Sequence, residues 1–434
     1  MGKATIYFLR LIFMILILCL TRADKGLSQT DSTFFEYGKA LFQFDEKDLY
    51  ETTVNVFNAY LIQYPEGINA AEVQFSIADL HMRRKKRDRA FVSYFKTIAL
   101  YPETSLVSRA NEGAREAVSK DGSLTPIKEK LFSLIVTPPK ESEFAETYLA
   151  LLQSLRDLIY PKLNDALIPE CRLFLETYPD DSGAVRVAEW IGDMYQENNK
   201  HWEAVSAYYR VVHMVRGGDR IIPCQLKIAD LLNERLKKYE VAVGIYEDIL
   251  RTESDSVASS EAQWKLARVF NEKLKNYSRA VQEYQNLVDK FPASSHGAEA
   301  LMKKAEIQVS NLKQLEGGVE TYQRVVERFP EDDLAPEALV KAGEVYERKM
   351  KDYANAVQIY QEVSHKYPSN PLGSEYLFKA AELAEKKLKE PDRALEIYQQ
   401  IVDGYGSEKI AERARKKIES LKNKIEENER YPDL

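Results

Sequence analysis

One motif returns along almost the whole chain, and its spacing leaves few folds open. The segments AVQEYQNLVDKFP from Ala280, GVETYQRVVERFP from Gly318, AVQIYQEVSHKYP from Ala356 and ALEIYQQIVDGYG from Ala394 are variants of one pattern. A small residue is followed four positions later by Tyr and eleven later by an aromatic, usually with Pro next. With the small residue as anchor, the units fall at Thr53, Ala90, Ile127, Leu167, Ala204, Ala242, Ala280, Gly318, Ala356 and Ala394. The steps are 37, 37, 40, 37 and then five of 38. A period of this length marks an array in which each unit buries its apolar face against its neighbours.

Each anchor opens a helix. A small residue with apolar or aromatic residues at +4, +7 and +11 forms one helical stripe, as Tyr284, Leu287 and Phe291 show, and again Tyr360, Val363 and Tyr367. The Pro that follows restricts the residue before it and cannot continue the helix, so the helix is predicted to stop there. Pro65, Pro102, Pro139, Pro179, Pro292, Pro330 and Pro368 hold this place. A preceding helix carries a small residue thirteen before the anchor, at Ala40, Ala229, Ala267, Ala305, Gly343 and Ala381, where two helices could approach closely. No segment sustains the alternation of a strand. The predicted fold is an all-α superhelical solenoid of about ten helix-turn-helix repeats with contacts between nearest neighbours. After Tyr405, a charged helix with Ile410, Ala414, Ile418, Leu421 and Ile425 on one stripe would cap its end.

These residues resemble the tetratricopeptide repeat, with its small residue in the first helix and its Ala, aromatic and Pro in the second. The resemblance covers about residues 31–406, at a period of 38 rather than the usual 34. The longer period and the Tyr-Pro or Phe-Pro ending are similar to repeats of bacterial periplasmic proteins: the outer-membrane-protein assembly lipoprotein and the cell-division coordinator. The stretch FFEYGKALFQFDEKDLYETTVNVFNAYLIQYP is the part most similar to the former.

Residues 1–23 have the layout of a secretory signal peptide. Lys3 and Arg10 precede an apolar run from Leu11 to Leu20, and Thr21 and Ala23 offer a small-x-small cleavage site. Leu18 stands before Cys19, where a lipoprotein signal carries a small residue. The expected organisation is a leader at 1–23, repeats 1–3 at 24–140, repeats 4–5 at 141–216, repeats 6–10 at 217–406, and a capping helix and tail at 407–434. Around Ile127, Leu131 and Pro138 the aromatics vanish and the step lengthens to 40. Val215 to Gly218 and Glu253-Ser254 replace the aromatic-Pro ending in two further units. Each irregularity is either tolerated drift or a change in the path of the array.

With 61 Lys+Arg against 68 Asp+Glu the net charge is −7, which argues against nucleic acid as the partner. No phosphate loop, dinucleotide fingerprint or H-E-x-x-H occurs, and His81, His201, His213, His296 and His365 fall in different units. No cofactor, metal or catalytic residue is expected. Cys171 takes a +4 position and reads as a small core residue. Arg83 to Arg87 form a basic run at a turn, open to solvent or to anionic lipid.

Fifteen residues before the anchor, the last five units all carry lysine: Lys227, Lys265, Lys303, Lys341 and Lys379. Glu261, Glu299, Glu337 and Glu375 precede four of them by four residues, and Asp230, Glu306, Glu344 and Glu382 follow by three, with Arg268 the exception. Such pairs stabilise a helix surface by roughly 0.2–0.5 kcal/mol each, which is one reading. The resemblance implies the other: these first-helix positions would line a concave groove that holds a partner segment bearing both charges. Trp264, Met302 and Phe378 would then serve as nearby apolar anchors. The reading is a non-catalytic, periplasmic protein-binding scaffold whose partners are other envelope proteins or peptide segments. It would touch membrane only through an uncleaved leader or a partner, and its oligomeric state stays open. The envelope process could be outer-membrane assembly, division-linked remodelling or polysaccharide export. Its rivals are the helical domain of a polysaccharide-active enzyme and a membrane-anchored cytoplasmic adaptor.

Overall fold

The computed structural model describes residues 27–44, 47–214, 221–251, 257–406 and 409–430. The leader and the unit endings at 215–218 and 253–254 lie outside the described residues. Among those described there are 21 α-helices and no strand. No helix among them is long and apolar enough to cross a membrane. The chain divides between Cys224 and Gln225 into two units.

The N-terminal unit holds α1 (Leu27–Phe44), α2 (Tyr50–Gln63), α3 (Ala70–Arg83), α4 (Arg87–Leu100), α5 (Val107–Lys120), α6 (Lys128–Val136), α7 (Phe144–Arg156), α8 (Asn164–Thr177), α9 (Ala184–Glu197) and α10 (His201–Met214). After α11 (Ile221–Asp230), in which the division falls, come α12 (Tyr239–Arg251), α13 (Val257–Arg268), α14 (Tyr277–Lys290), α15 (Gly297–Ser310), α16 (Leu315–Arg328), α17 (Leu334–Glu344), α18 (Tyr353–Lys366), α19 (Pro371–Leu383), α20 (Pro391–Gly404) and α21 (Lys409–Arg430).

All ten anchors are buried, and so are all ten +4 residues. Tyr208, Tyr246, Tyr284, Tyr360 and Tyr398 are among the largest side chains fully removed from solvent. The residue before the unit-ending Pro leaves the helical region and closes its helix, with φ of −134° at Tyr64, −128° at Tyr101, −125° at Phe291 and −128° at Tyr367. A following proline ring disfavours the helical conformation at this position.

The difference between steps of 37 and 38 has a local origin. In the shorter units α3 and α9 end in a Schellman turn, where Lys86 N–H donates to His81 C=O at 3.0 Å and Lys200 N–H to Tyr195 C=O at 2.8 Å. The longer units add one residue in a wider closing turn: Leu274 N–H donates to Val269 C=O at 3.0 Å, and Asn276 N–H to Phe270 C=O at 2.9 Å. The left-handed residue that reverses the chain is Lys85, Asn199, Lys237, Lys275, Lys313, Lys351 or Lys389, with φ between 54° and 62°. Gly343 shows why the facing position must be small, since a Cβ there would lie 2.3 Å from the Tyr360 ring. Ala40 does not take this role. It is exposed, and Gly38 meets Phe57 instead, because a short turn (Lys47–Leu49) between α1 and α2 shifts the register by two.

Within the N-terminal unit, contact is not confined to nearest neighbours. After the irregular third unit, α7 and α8 fold back so that both touch α4, and α8 also touches α2. Helix α4 is thereby enclosed, with every residue from Ala90 to Leu100 buried. At its centre Lys96 Nζ donates to Glu170 Oε2 at 2.7 Å and to the Tyr148 hydroxyl at 3.1 Å, and Tyr148 donates to the same carboxylate at 2.8 Å. Tyr101 reaches back to the carbonyl of Pro65 at 2.8 Å and packs on Phe144. The third unit is therefore a change of path. Cys171 and Cys224 are both buried, and neither forms a disulfide.

In the C-terminal unit the first helices α15, α17 and α19 contact one another in sequence, and α21 touches α19 in turn. Ala414 and Leu421 of α21 are buried, and Ile410, Ile418 and Ile425 pack on the same core. The cap thus completes the core that α19 and α20 would otherwise leave open.

Candidate functional site

The lysine row lies on the first helices of the C-terminal unit. Lys227 on α11, Lys265 on α13, Lys303 on α15, Lys341 on α17 and Lys379 on α19 are all half-buried. A sixth member was missed from sequence: Lys417 stands 38 residues after Lys379, on the capping helix. The cap therefore presents the face of an eleventh first helix.

The row is more built-in than a set of surface pairs. Lys265 Nζ donates to Asp230 Oδ2 at 2.7 Å, and the buried Tyr246 hydroxyl donates to the same carboxylate at 2.8 Å. Lys379 lies 2.6 Å from Glu347, which also accepts from Tyr360 at 2.7 Å. Lys417 and Tyr398 meet on Glu385 at 3.1 and 3.2 Å. Each triad joins a +4 tyrosine, an acid on its own first helix and the lysine one repeat later. Glu347 and Glu385 escaped notice in the sequence because they lie nine before their anchors, on the closing turn rather than beside the lysine.

Burial alone would raise the Glu347 carboxyl, but hydrogen bonds from Lys379 and Tyr360 outweigh it and hold the pKa below the usual carboxylate value. Burial would likewise lower Lys265, yet the bond it donates to Asp230 and the nearby carboxylates hold it above the usual lysine value. Both groups are fixed in their charged forms. A general acid needs the opposite, a carboxyl raised toward the working pH. Among the described residues no three His, Cys, Asp or Glu side chains converge as metal ligands.

The expected pairing of Glu with the lysine four residues on is seen at Glu261 and Lys265, 3.5 Å apart. Lys303 and Lys341 turn forward instead, to Glu306 at 3.1 Å and Glu344 at 3.8 Å, while Glu299 is half-buried and Glu337 and Glu375 are exposed. Glu382 pairs with Lys386 at 2.6 Å. The apolar anchors are corrected: Trp264, Met302 and Phe378 are all buried. They stand one residue before the lysine and so point into the core, where Trp264 packs on Tyr284 and stacks on His296, and Phe378 packs on Tyr398. The apolar component is supplied elsewhere. A cavity of about 460 Å³ opens beside Lys341, with Tyr322, Ile307 and Val345 among Glu306, Glu344 and Arg348. A second, of about 250 Å³, opens beside Lys265 among Glu234, Arg268 and Glu272. The two concavities carry both signs of charge on this first-helix face.

Three members of the basic run at the α3–α4 turn have partners within the protein. Arg83 holds Asp79 at 2.7 Å and covers Phe42, Lys86 holds Glu51 at 3.1 Å over the Tyr50 ring, and Arg87 caps the Lys120 carbonyl.

Residues 261–294, 299–332, 337–370 and 375–407 match the tetratricopeptide repeat. With the helix pairing above, this shows tetratricopeptide repeats in the C-terminal unit, where all four matches lie. Arrays of such repeats present extended surfaces suited to protein interaction. No curated protein matches the chain. Solved structures match the chain at low identity. A tetratricopeptide repeat protein from Parabacteroides merdae is 15% identical over 64% of this chain and 99% of its own, with a TM-score of 0.35. The C-terminal part of a repeat protein from Cytophaga hutchinsonii is 12% identical over 62% of this chain and 98% of its own, at 0.42. YrrB, described as having an unusual peptide-binding site, is 18% identical over 49% of this chain and 99% of its own, at 0.30.

Proposed function

We propose that the protein is a non-catalytic scaffold of the bacterial cell envelope whose C-terminal first-helix face holds a segment of a partner protein. The observation that carries this reading is the lysine row, continued through Lys417 onto the cap, in which Lys265, Lys379 and Lys417 are held by carboxylates that also accept from buried tyrosines. A row held this way keeps its charges in place before a partner arrives, which lowers the cost of ordering side chains on binding. Alternating signs set the register and the rate of encounter more than the final affinity. The suited partner is an extended or helical segment that bears both charges and inserts apolar side chains into the cavities beside Lys265 and Lys341. The envelope location rests on the leader-like segment 1–23, and outer-membrane assembly, division-linked remodelling and polysaccharide export remain the processes it would serve.

The triads decide which residues to test. Reversing Lys265 or Lys379 would bring a carboxylate against Asp230 or Glu347 and unsettle the fold, whereas Lys303 and Lys341, each with a side chain 40% exposed, can be reversed more safely. The double variant Lys303→Glu/Lys341→Glu is expected to keep its circular dichroism and melting temperature. It should recover its partners from envelope extracts about tenfold less well, the change that 1.4 kcal/mol brings. Undiminished recovery would remove the row as a binding feature.

A further inference from the structure

The turns that close each helix pair of the C-terminal unit carry a second row of cations, which the reading above does not use. Their left-handed residue is Lys237, Lys275, Lys313, Lys351 and Lys389 in turn, at intervals of 38 and with φ of 54° to 62°. Glycine or asparagine takes that conformation with less strain, and Asn199 does so in the N-terminal unit. Two residues before each stand Arg235, Lys273, Asn311, Lys349 and Lys387, so nine of these ten positions are basic. All nine are exposed. Successive turns lie side by side, because a second helix touches the closing turn of the next unit. Helix α12 meets Val269–Lys273, α16 meets Val345–Met350 and α18 meets Ala384–Leu388.

None of the nine is ion-paired among the described residues, since nearby carboxylates are engaged elsewhere. Glu272 pairs with Arg268, Glu347 with Lys379, Glu385 with Lys417 and Glu390 with Arg393, while Asp352 caps α18. Within three residues along the chain, that leaves Glu234, Glu240, Glu316 and Asp392 to offset nine cations. At the opposite edge, residues 292–295, 330–333 and 368–371 lead into the next unit and hold no Lys or Arg. Glu331 and Asp333 are exposed there. A helix of 14 residues such as α14 spans ~21 Å, more than twice the ~8 Å screening length at physiological ionic strength. The closing-turn edge therefore acts as a cation although the chain as a whole is acidic.

We propose that this edge lies directly on a membrane leaflet bearing anionic phospholipid. The contact needs neither the segment 1–23 nor a partner protein. A row of turns set side by side meets a planar surface along its length and requires no cleft. Eight of the nine cations are lysine, a compact point charge suited to mobile headgroups, whereas a fixed bidentate phosphate site would favour arginine. The strain that asparagine would relieve is retained at the five positions where it keeps a charge on the turn.

The test uses the full chain with phosphatidylcholine vesicles, with and without about one-third phosphatidylglycerol. Amine acetylation, read at each lysine by mass spectrometry, separates this edge from any contact made by segment 1–23. Lys237, Lys275, Lys351 and Lys389 should be protected at least about fivefold on the anionic vesicles alone, and label freely again in ~0.5 M salt. Lys290 and Lys366, exposed at the far ends of their second helices, should label at unchanged rates. The variant Lys237→Asn/Lys275→Asn/Lys351→Asn/Lys389→Asn removes charge and strain together. It should melt no lower than the wild type, while its remaining Lys273 and Lys349 lose their protection. Equal protection on both kinds of vesicle, or protection of Lys273 and Lys349 that persists in the variant, overturns the proposal. So does stronger protection by soluble polyphosphate than by vesicles, which would mark the edge as a site for an anionic polymer.

Discussion

Replacing Lys96 with methionine is expected to cost the N-terminal unit about 3–5 kcal/mol, the penalty for leaving a buried carboxylate without its counter-charge. The side chains of Lys96 and Glu170 are 3% and 12% exposed, so solvent screens little of the loss. Tyr148 would remain on the carboxylate at 2.8 Å, but one hydroxyl cannot replace an ammonium. Because Lys96 belongs to α4 and Glu170 to α8, the damage should appear where α7 and α8 fold back. Hydrogen exchange should quicken in α4, α7 and α8, while α15 to α20 keep their protection. The double variant Lys96→Met/Glu170→Leu should recover most of the lost stability, since an apolar pair of similar volume has no desolvation cost. Equal stability of Lys96→Met and the wild type would show that the pair does not hold the fold-back.

The second large effect is a pH dependence centred on His81. Its Nδ1 faces the Tyr50 hydroxyl at 2.7 Å, and burial lowers its pKa from 6.5 to about 4. The nearby Glu170 charge works against that shift, and Arg89 and Lys86 reinforce it. The folded state therefore holds a neutral imidazole, while the unfolded chain takes up a proton below pH 6.5. Stability from this group is complete above pH 6.5 and is lost as pH falls toward 4. The gap of 2.5 between 6.5 and 4 corresponds to about 3 kcal/mol. Urea unfolding of wild type and of His81→Gln, which keeps an acceptor for Tyr50 without titrating, should give curves that diverge across this window. Parallel curves between pH 7 and 4 would show that His81 is not held neutral.

The repeat was legible because one stripe of residues recurs without interruption. Every anchor and every +4 residue, from Thr53 and Phe57 to Ala394 and Tyr398, lies in the core as the spacing required. The fold-back of α7 and α8 was not, because the rule of nearest-neighbour stacking was applied to the whole chain. A warning was present: AFVSYFKTIAL, from Ala90 to Leu100, is apolar on nearly every side rather than along one face. Such a helix must be enclosed. The lysine row was visible as a period, but its partners were sought on the same helix, whereas Asp230 and Glu347 contact the lysine one repeat on. Trp264, Met302 and Phe378 were misplaced for a related reason: periodicity fixes which residues are equivalent without saying which side of the helix they face.

The most direct test of the scaffold reading is site-specific photocrosslinking in cells. A benzophenone side chain would replace Lys303 or Lys341 on the first helices, and, as controls, the exposed second-helix residues Glu320 or Gln400. A discrete adduct with the same envelope protein from Lys303 and Lys341, absent at Glu320 and Gln400, is the expected result. Adducts confined to Glu320 and Gln400, or none at all four positions, would show that the lysine-bearing face holds no partner.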